Sequence, residues 1–366
     1  MRIKNVIFFV STLDSGGLEN YLLRFLYEKH SSFDGVYVYC KSGNAGQLEE
    51  KYRKINNVHI VLGKLGALNL FSHIKLAFFI KKNRIDAVCD FTGNFSALPL
   101  LFSRFAGVKK RVASYRNSSD RFKKGLLKNT FSNFLKFTVN KSATNIIANS
   151  EAGLNYFYTN KWKSDKRFSV IRNGLNSYEL LAESGNLRKD FGISDQAFVI
   201  GHTGRFNEAK NHSTILAVAE ILLKKYQDIY FILCGNGVLE NLRSSVVSKQ
   251  LNERIFLFEN RNDVPRFLNT MNCYFFPSIT EGQPNALIEA MVLGLPYVAS
   301  DIASIRETAS EHYKLYDPLD VEGLSEALEK LYLNNTPRDI SLQKETCERF
   351  EHTKRFDDFY RVLSGM

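Results

Sequence analysis

Residues 278–296 read SITEGQPNALIEAMVLGLP and join a predicted strand to a predicted helix. The apolar run Cys273–Phe276 before them predicts a buried strand, and the apolar segment after Pro284 predicts a helix. Gly282 allows the backbone to approach a ligand closely, and the free N–H groups near Asn285 favour an anion. This order of elements predicts a phosphate site at the carboxyl end of a strand in an α/β protein.

The same alternation of apolar runs and helical segments extends along the whole chain, which predicts parallel sheets flanked by helices. One series of predicted strands ends before Asn173-Gly174, and a second series follows. The predicted strands are Val6–Val10, Val36–Cys40, His59–Leu62, Ala87–Asp90, Arg111–Ser114, Asn145–Ala148, Ser169–Ile171, Phe198–Thr203, Tyr230–Cys234, Ile255–Phe258, Cys273–Phe276 and Tyr297–Ala299. We therefore expect two doubly wound domains, 1–178 and 179–349, that face each other across a cleft. A C-terminal helix, about 350–366, is expected to cross back to the first domain.

The charges of the 366 residues are unevenly distributed. Residues 1–178 carry 29 basic and 11 acidic side chains, formally +18, whereas residues 179–366 carry 20 basic and 27 acidic side chains, formally −7. A cationic half attracts polyanions or an anionic membrane face. The hydrophobic share of 44% excludes a disordered chain.

The cysteines and the apolar runs exclude several other classes. The five cysteines lie far apart without a C-x-x-C pair, which favours neither a disulfide framework nor a zinc site. No run of 18 apolar residues predicts a membrane-spanning helix. The apolar run Val6–Val10 is too short for a signal sequence, so we expect a cytoplasmic protein.

Two carboxylates belong to the segment 278–296. Glu289 is surrounded in sequence by apolar residues, so we expect it to be buried and to need hydrogen-bond donors. Those donors are either a backbone or arginine partner within the protein or the hydroxyl groups of a ligand. Glu281 precedes it by eight residues and lies in the loop, so the two carboxylates would contact different parts of one extended ligand.

Three further loops follow predicted strands. The loop GRFNEAKNH, residues 204–212, places Arg205 and Lys210 where both could converge on a phosphate pair, the alternative being two solvated surface cations. The turn Gly16-Gly17 follows the first strand and precedes a helix, as phosphate-binding glycine turns do. Gly235-Asn236-Gly237 is more typical of a tight turn than of a dinucleotide site.

These motifs together resemble the retaining GT-B glycosyltransferases of family 4. The resemblance is carried by EGQPNALIEAM with its Glu-x7-Glu spacing, by GRFxxxKNH, by GGLEN and by Arg172-Asn173-Gly174. It covers nearly the whole chain and is strongest in residues 200–310. The family includes enzymes of bacterial O-antigen, capsule and exopolysaccharide assembly. The resemblance implies a GT-B fold and transfer of a sugar, with retention, from a nucleotide-diphosphate sugar to a lipid-linked or glycan acceptor. UDP-sugars are favoured as the co-substrate and GDP-sugars are an alternative.

The resemblance also implies roles for single residues. Glu289 would bind the ribose hydroxyls, Arg205 and Lys210 would stabilise the leaving diphosphate, and Glu281 would hold the sugar. The implied catalytic residues are therefore Glu281, Arg205 and Lys210. The implied donor-binding residues are Gly16, Gly17, Arg205, Lys210, Arg261, Asp263, Glu281, Gly282, Gln283, Pro284, Asn285, Ala286 and Glu289. No D-x-D triplet occurs in the chain, and we expect neither an obligatory cofactor nor a bound metal.

One part of the sequence departs from the family pattern. Many relatives carry a histidine after the strand that corresponds to Arg111–Ser114, whereas this chain has no histidine there. Arg116 or Asn117 is expected to take its place on the acceptor side, together with Asn173.

Residues 121–137 form a basic amphipathic stretch. It is either a helix that faces the core with a solvated cationic face or an attachment to an anionic bilayer. The second interpretation predicts a peripheral protein at the inner face of the cytoplasmic membrane, beside a lipid-diphosphate-linked acceptor.

Two other functions compete with glycosyl transfer: a sugar-nucleotide epimerase or phosphorylase of the same fold, and a non-enzymatic polyanion-binding protein. Nucleic acid is disfavoured as a partner because no binding-module signature accompanies the charge.

Overall fold

The computed structural model describes residues 3–14, 16–66, 69–117 and 126–365, without the side chains of 126–128. The chain divides into two compact units. Unit 1 comprises the residues up to Gly174 together with those from His352 onward, and unit 2 comprises Leu175–Glu351. The sequence placed these boundaries after residues 178 and 349. Gly174 and His352 are the residues of unit 1 at its two boundaries in the chain. A Cβ atom on Gly174 would lie 2.7 Å from the Cα atom of His352, so the two segments pack too closely for a side chain at position 174.

Each unit contains one parallel sheet. Unit 1 has strands β1 (Asn5–Val10), β2 (Gly35–Cys40), β3 (Val58–Leu62), β4 (Ala87–Asp90), β5 (Lys110–Tyr115), β6 (Asn145–Ala148) and β7 (Phe168–Val170), in the order β3-β2-β1-β4-β5-β6-β7. Unit 2 has strands β8 (Phe198–Thr203), β9 (Ile229–Cys234), β10 (Ile255–Phe258), β11 (Cys273–Phe276), β12 (Tyr297–Ser300) and β13 (Leu315–Tyr316), in the order β10-β9-β8-β11-β12-β13. All the strand pairs within these two sheets are parallel. The predicted doubly wound α/β fold is confirmed.

Helices alternate with the strands along most of the chain, and three helices end it. They are α1 (Gly17–Lys29), α2 (Glu49–Arg53), α3 (Leu70–Lys82), α4 (Ala97–Phe105), α5 (Leu126–Ser142), α6 (Glu151–Tyr158), α7 (Ser177–Ala182), α8 (His212–Lys225), α9 (Val238–Ser248), α10 (Val264–Asn269), α11 (Asn285–Val292), α12 (Ala303–Arg306), α13 (Val321–Leu333), α14 (Ile340–Arg349) and α15 (His352–Ser364). Side-chain oxygens of Asn69, Ser150, Asp320 and Asp339 accept hydrogen bonds at the first turns of α3, α6, α13 and α14. None of the described helices is long and apolar enough to cross a bilayer.

Helices cover both faces of the sheet in unit 1. On one face α15 completes the core, because the ring of Phe359 lies 4.8 Å from Phe25 of α1 and 6.3 Å from Phe8 of β1. On the other face α3, α4 and α5 bury Leu76, Leu100 and Leu135 against the sheet. The basic stretch 121–137 begins outside the described residues and continues in α5.

Candidate functional site

Three loops of unit 2 meet at the carboxyl edge of its sheet. They follow β8, β9 and β11, and backbone hydrogen bonds connect them. The N–H of Phe206 donates to the carbonyl oxygen of Asn236 (2.8 Å), and the N–H of Ile279 donates to that of Ala209 (2.9 Å). A Cβ atom at Gly235 would collide with the backbone of Gly204, so glycine permits this close approach. The predicted loops 204–212 and 278–284 therefore form one surface.

Lys210 and Glu281 lie together on this surface. The Nζ atom of Lys210 is 2.7 Å from Oε1 of Glu281, and their side chains are only 15% and 13% exposed. The Lys210 ammonium also lies 4.6 Å from the ring centroid of Phe276 at the end of β11. A cation so placed is largely desolvated, and its carboxylate partner and the aromatic ring compensate for the lost water. The structure thus brings together two of the three predicted catalytic residues.

Arg205, the third predicted catalytic residue, lies exposed on the same loop as Lys210. Its convergence with Lys210 on a phosphate pair stays a prediction.

Asn211 fixes the loop that carries Lys210, a role that the sequence reasoning missed. Its backbone has φ of 56°. Its Nδ2 atom donates to the carbonyl oxygens of Pro277 (3.0 Å) and Pro318 (2.8 Å). Its Oδ1 atom accepts a hydrogen bond from the Thr214 hydroxyl group in α8 (3.0 Å). The available signal was an asparagine directly before a helix start, which is typical of a residue that bonds local backbone.

The segment from Gly282 to Ala286 forms the entrance to α11. Gly282, Gln283 and Pro284 are buried, whereas Asn285 and Ala286 are partly exposed. Since α11 begins at Asn285, its first N–H groups lie at the same edge as Glu281, as an anion site requires.

Glu289 is half-buried, whereas the sequence predicted that it would be buried. The apolar neighbours Leu287, Ile288, Ala290 and Met291 do enter the core. A helix has an outer face even when the sequence around it is apolar, and position 289 lies on that face. The pKa of the buried Tyr274 phenol is raised chiefly by burial, with smaller contributions from the charges of Glu289 and Glu281. The Glu281 carboxylate in the loop and the Glu289 carboxylate on α11 are therefore both near enough to the Tyr274 hydroxyl group to raise its pKa.

The loop after β10 carries Arg261 and Asp263, which pair with each other. The guanidinium donates two hydrogen bonds of 2.7 Å to the Asp263 carboxylate. This pairing lowers the pKa of Asp263 and raises the pKa of Arg261. The neighbouring Glu259 carboxylate accepts a hydrogen bond from the N–H of Gly237 (2.7 Å) and from the N–H of Leu239 in α9 (3.1 Å). The N-terminal amides of α9 are thus occupied by the protein itself, which agrees with the interpretation of Gly235-Asn236-Gly237 as a tight turn.

Two buried histidines lie behind Lys210. The rings of His202 and His212 are 5.2 Å apart, and Nδ1 of His202 is 2.9 Å from the carbonyl oxygen of Phe275. Burial lowers the pKa of His212 to about 4, and the positive charge of Lys210 adds to the effect. Burial likewise holds the pKa of His202 well below its ordinary value. Both imidazoles are therefore neutral near pH 7, a property that the KNH motif alone did not reveal.

Unit 1 brings Arg116 and Asn173 together. The Arg116 guanidinium lies 3.8 Å from the ring centroid of Tyr21, and its Nη1 atom donates a hydrogen bond to Oδ1 of Asn173. Asn117 is exposed. Gly16 caps α1 in an extended conformation and Gly17 is the first residue of that helix. The donor contact predicted for these two glycines stays a prediction.

A cavity of about 260 Å³ lies at the carboxyl edge of the unit 1 sheet, and the sequence reasoning did not predict it. Its lining residues are Ser11, Lys41, Ser42, Leu65, His73, Thr92, Phe95, Leu98, Pro99 and Leu135. The Lys41 ammonium lies 3.0 Å from the fully buried Asp90 carboxylate. These charges are 49 residues apart in the chain, so only the folded sheet shows that they pair.

The two parallel-sheet units have the GT-B fold, as the comparison with solved structures shows. Residues 183–355, slightly less than half of the chain, match the family model of glycosyl transferases group 1. The solved structure of Anabaena Alr3699/HepE in complex with UDP superimposes with a TM-score of 0.81 at 17% identity and covers 100% of both chains. At this identity the likeness establishes the fold.

Two curated relatives show the same likeness in sequence. The chain is 26% identical over 314 residues to the capsular polysaccharide biosynthesis glycosyltransferase CapH of Staphylococcus aureus, with 84% of each chain covered. It is also 26% identical over 238 residues to the UDP-Gal:alpha-D-GlcNAc-diphosphoundecaprenol alpha-1,3-galactosyltransferase of Escherichia coli, covering 63% of this chain and 62% of that enzyme. Across the first relatives that it matches, the chain spans 62% to 84% of their length.

Proposed function

We propose that this protein transfers a sugar, with retention of anomeric configuration, from a nucleotide-diphosphate sugar to a lipid-linked or glycan acceptor in the assembly of a cell-surface polysaccharide. The match to glycosyl transferases group 1 supports transfer. The UDP bound by the HepE structure supports a UDP-sugar, with a GDP-sugar as the second candidate. The E. coli galactosyltransferase supports an acceptor linked through a diphosphate to a polyprenol.

The observation that carries the proposal is the Lys210–Glu281 pair beside the first turn of α11. Cleavage of a sugar–phosphate bond develops negative charge on the leaving diphosphate and positive charge on the sugar. Lys210, Arg205 and the α11 amides would stabilise the diphosphate, and the Glu281 carboxylate would lie near the sugar. Because Lys210 is already desolvated, its attraction to the leaving group would cost little further reorganisation.

We propose the remaining donor contacts because their residues lie around the same carboxyl edge of the unit 2 sheet. Glu289, half-exposed on α11, would accept hydrogen bonds from ribose hydroxyl groups. Arg261 and Asp263 would lie beside the base, and their mutual pairing would hold both side chains in place.

On the acceptor side we propose Arg116 and Asn173, with the exposed Asn117 as a further contact. The Arg116 guanidinium is fixed by Tyr21 and by Asn173, so it can present charge without losing much conformational freedom. We place the protein in the cytoplasm, attached peripherally to the inner face of the membrane through its cationic first half.

Thermal unfolding with UDP, GDP, ADP, CMP and their sugar conjugates tests the donor. A ligand at about 100 times its dissociation constant stabilises the protein by about 2.7 kcal/mol. We expect a UDP compound to raise the melting temperature of the wild type and of Glu253→Ala, an exposed control in unit 2, but to raise that of Glu289→Ala much less. A chain that no nucleotide diphosphate stabilises and that releases no UDP with acceptor lipids would refute the proposal.

A further inference from the structure

An exposed apolar surface covers the helices on one face of unit 1. On α3 the residues Leu70, Phe71, Ile74 and Phe78 point outward, and Phe71 and Phe78 are 81% and 70% exposed. Their spacing places them on one side of the helix, opposite the buried Leu76 and Ile80. Phe105 of α4 and Phe134 and Phe137 of α5 are also exposed. These seven side chains define the apolar surface of unit 1, and concentrated exposure of large apolar groups marks an interaction site.

The helices beneath this surface form one layer. The ring of His73 on α3 lies 5.5 Å from Phe102 on α4, which in turn lies 6.0 Å from Phe105. The Nη1 atom of Arg104 on α4 donates to the carbonyl oxygen of Lys141 on α5 (2.9 Å). The exposed rings therefore belong to adjacent helices on one side of unit 1.

The charges of this layer have one sign. The sequences of α3, α4 and α5 contain no Asp or Glu. Exposed cations accompany the apolar residues, namely Lys75, Lys81, Lys82, Arg104 and Lys141. Apolar rings for the interfacial region and cations for acidic headgroups are the combination that binds an anionic bilayer.

We propose that α3, α4 and α5 dock unit 1 on an anionic lipid bilayer, with Phe71 and Phe78 entering the interfacial region and the surrounding lysines contacting lipid phosphates. This inference rests on the proposed function, whose lipid-linked acceptor lies at a bilayer. It narrows the proposed attachment from the whole basic half to one face, centred on α3, that also includes Phe134 and Phe137 of the stretch 121–137.

Charge complementarity favours the bilayer over a second copy of this chain. A two-fold dimer would place this surface against itself. Lys75, Lys81 and Lys82 would then approach cations of the partner with no carboxylate on these helices to compensate them.

Helices of this layer also contribute to the cavity of unit 1. His73 of α3 and Leu135 of α5 line that cavity, and their neighbours Ile74 and Phe134 belong to the apolar surface.

Flotation of the full-length protein with lipid vesicles tests the face. The vesicles are phosphatidylcholine alone or phosphatidylcholine with about a third of phosphatidylglycerol. We expect the wild type to bind the anionic vesicles more tightly than the neutral ones. The double variant Phe71→Ser/Phe78→Ser should bind them at least about tenfold more weakly, since its apolar anchors are lost. Each of Lys75→Gln and Lys82→Gln should weaken binding about fivefold at low salt, and less at high salt.

The matched control is Tyr178→Ser/Leu181→Ser, which removes exposed apolar side chains from α7 of unit 2 and should bind vesicles like the wild type. Equal binding of wild type and Phe71→Ser/Phe78→Ser, or no binding of the wild type to anionic vesicles, would overturn the inference. A lipid-free dimer that becomes monomeric in the phenylalanine variant would also overturn it, in favour of a second copy. Stabilisation by nucleotide diphosphates is measured without lipid, so its absence, together with the absence of UDP release, would refute the proposed function and leave the vesicle result standing.

Discussion

Lys210 is the residue on which the proposed chemistry depends most. Replacing it with alanine removes the cation beside Glu281 and leaves that carboxylate largely desolvated without its amine. We expect the turnover of Lys210→Ala to fall about 100- to 1,000-fold, the usual effect of losing one group that stabilises developing charge. The measurement is nucleotide release in the steady state. Lys224→Ala, an exposed cation of α8, should keep full activity. Equal rates for both variants would show that Lys210 has a structural role only.

The buried imidazole of His212 makes stability depend on pH. Its pKa is lowered to about 4 in the folded chain, so between pH 6.5 and 4 the unfolded chain takes up a proton that the folded chain does not. The contribution of His212 to the free energy of unfolding is then fully present above about pH 6.5 and is lost as the pH decreases toward 4. From pH 7 to pH 5 this residue should remove about 2 kcal/mol from the free energy of unfolding.

The variant His212→Asn tests this dependence. Urea unfolding of the variant should show a smaller loss between pH 7 and pH 5 than the wild type shows, whereas the exposed His312→Asn should lose as much as the wild type. The same loss in all three proteins would contradict the proposed cause.

At the scale of elements, the connection from Asn211 to two other loops holds the site in shape. Asn211→Ala removes the donor to the carbonyl oxygens of Pro277 and Pro318. It also places alanine in the left-handed region. We expect a loss of about 2–3 kcal/mol in the free energy of unfolding, since buried acceptors lose their partner and the backbone is strained. Urea unfolding measures this loss, with the exposed Asn252→Ala as the control variant. A loss in Asn211→Ala less than about 0.5 kcal/mol greater than that in Asn252→Ala would contradict this role.

The strands were predictable because each is a short apolar run between turn residues, a local property of the sequence. β13 was missed because its two residues are too few to form such a run. The pairing of Lys41 with Asp90 could not be predicted, since it depends on the strand order, in which β2 and β4 lie on either side of β1. The burial expected of Glu289 and the unforeseen exposure of Phe71 share one cause. Composition shows that a helix is apolar, but only packing decides which of its sides faces the core.

At the scale of the whole molecule, the loops of unit 2 were the easiest part of the site to predict. The EGQPN and KNH segments follow strands of a parallel sheet, and such loops share one edge whatever their distance in the chain. The acceptor side was harder to predict, because the contacts of Arg116 with Tyr21 and Asn173 join residues from distant parts of unit 1.

The assignment of α15 to unit 1 carries the last prediction. Phe359 is fully buried, and its ring lies within 6.3 Å of Phe8, Phe25 and Phe91. Phe359→Ala should therefore cost about 3–5 kcal/mol of stability, as large cavities in a core do. Because this core belongs to unit 1, the loss should raise amide hydrogen exchange in β1, β4 and α1 while peptides from β8 and β11 keep their protection. Mass spectrometry of the exchanged peptides resolves the two units. An equal increase of amide exchange in β8 would mean that the two units unfold together, although their cores are built from different residues.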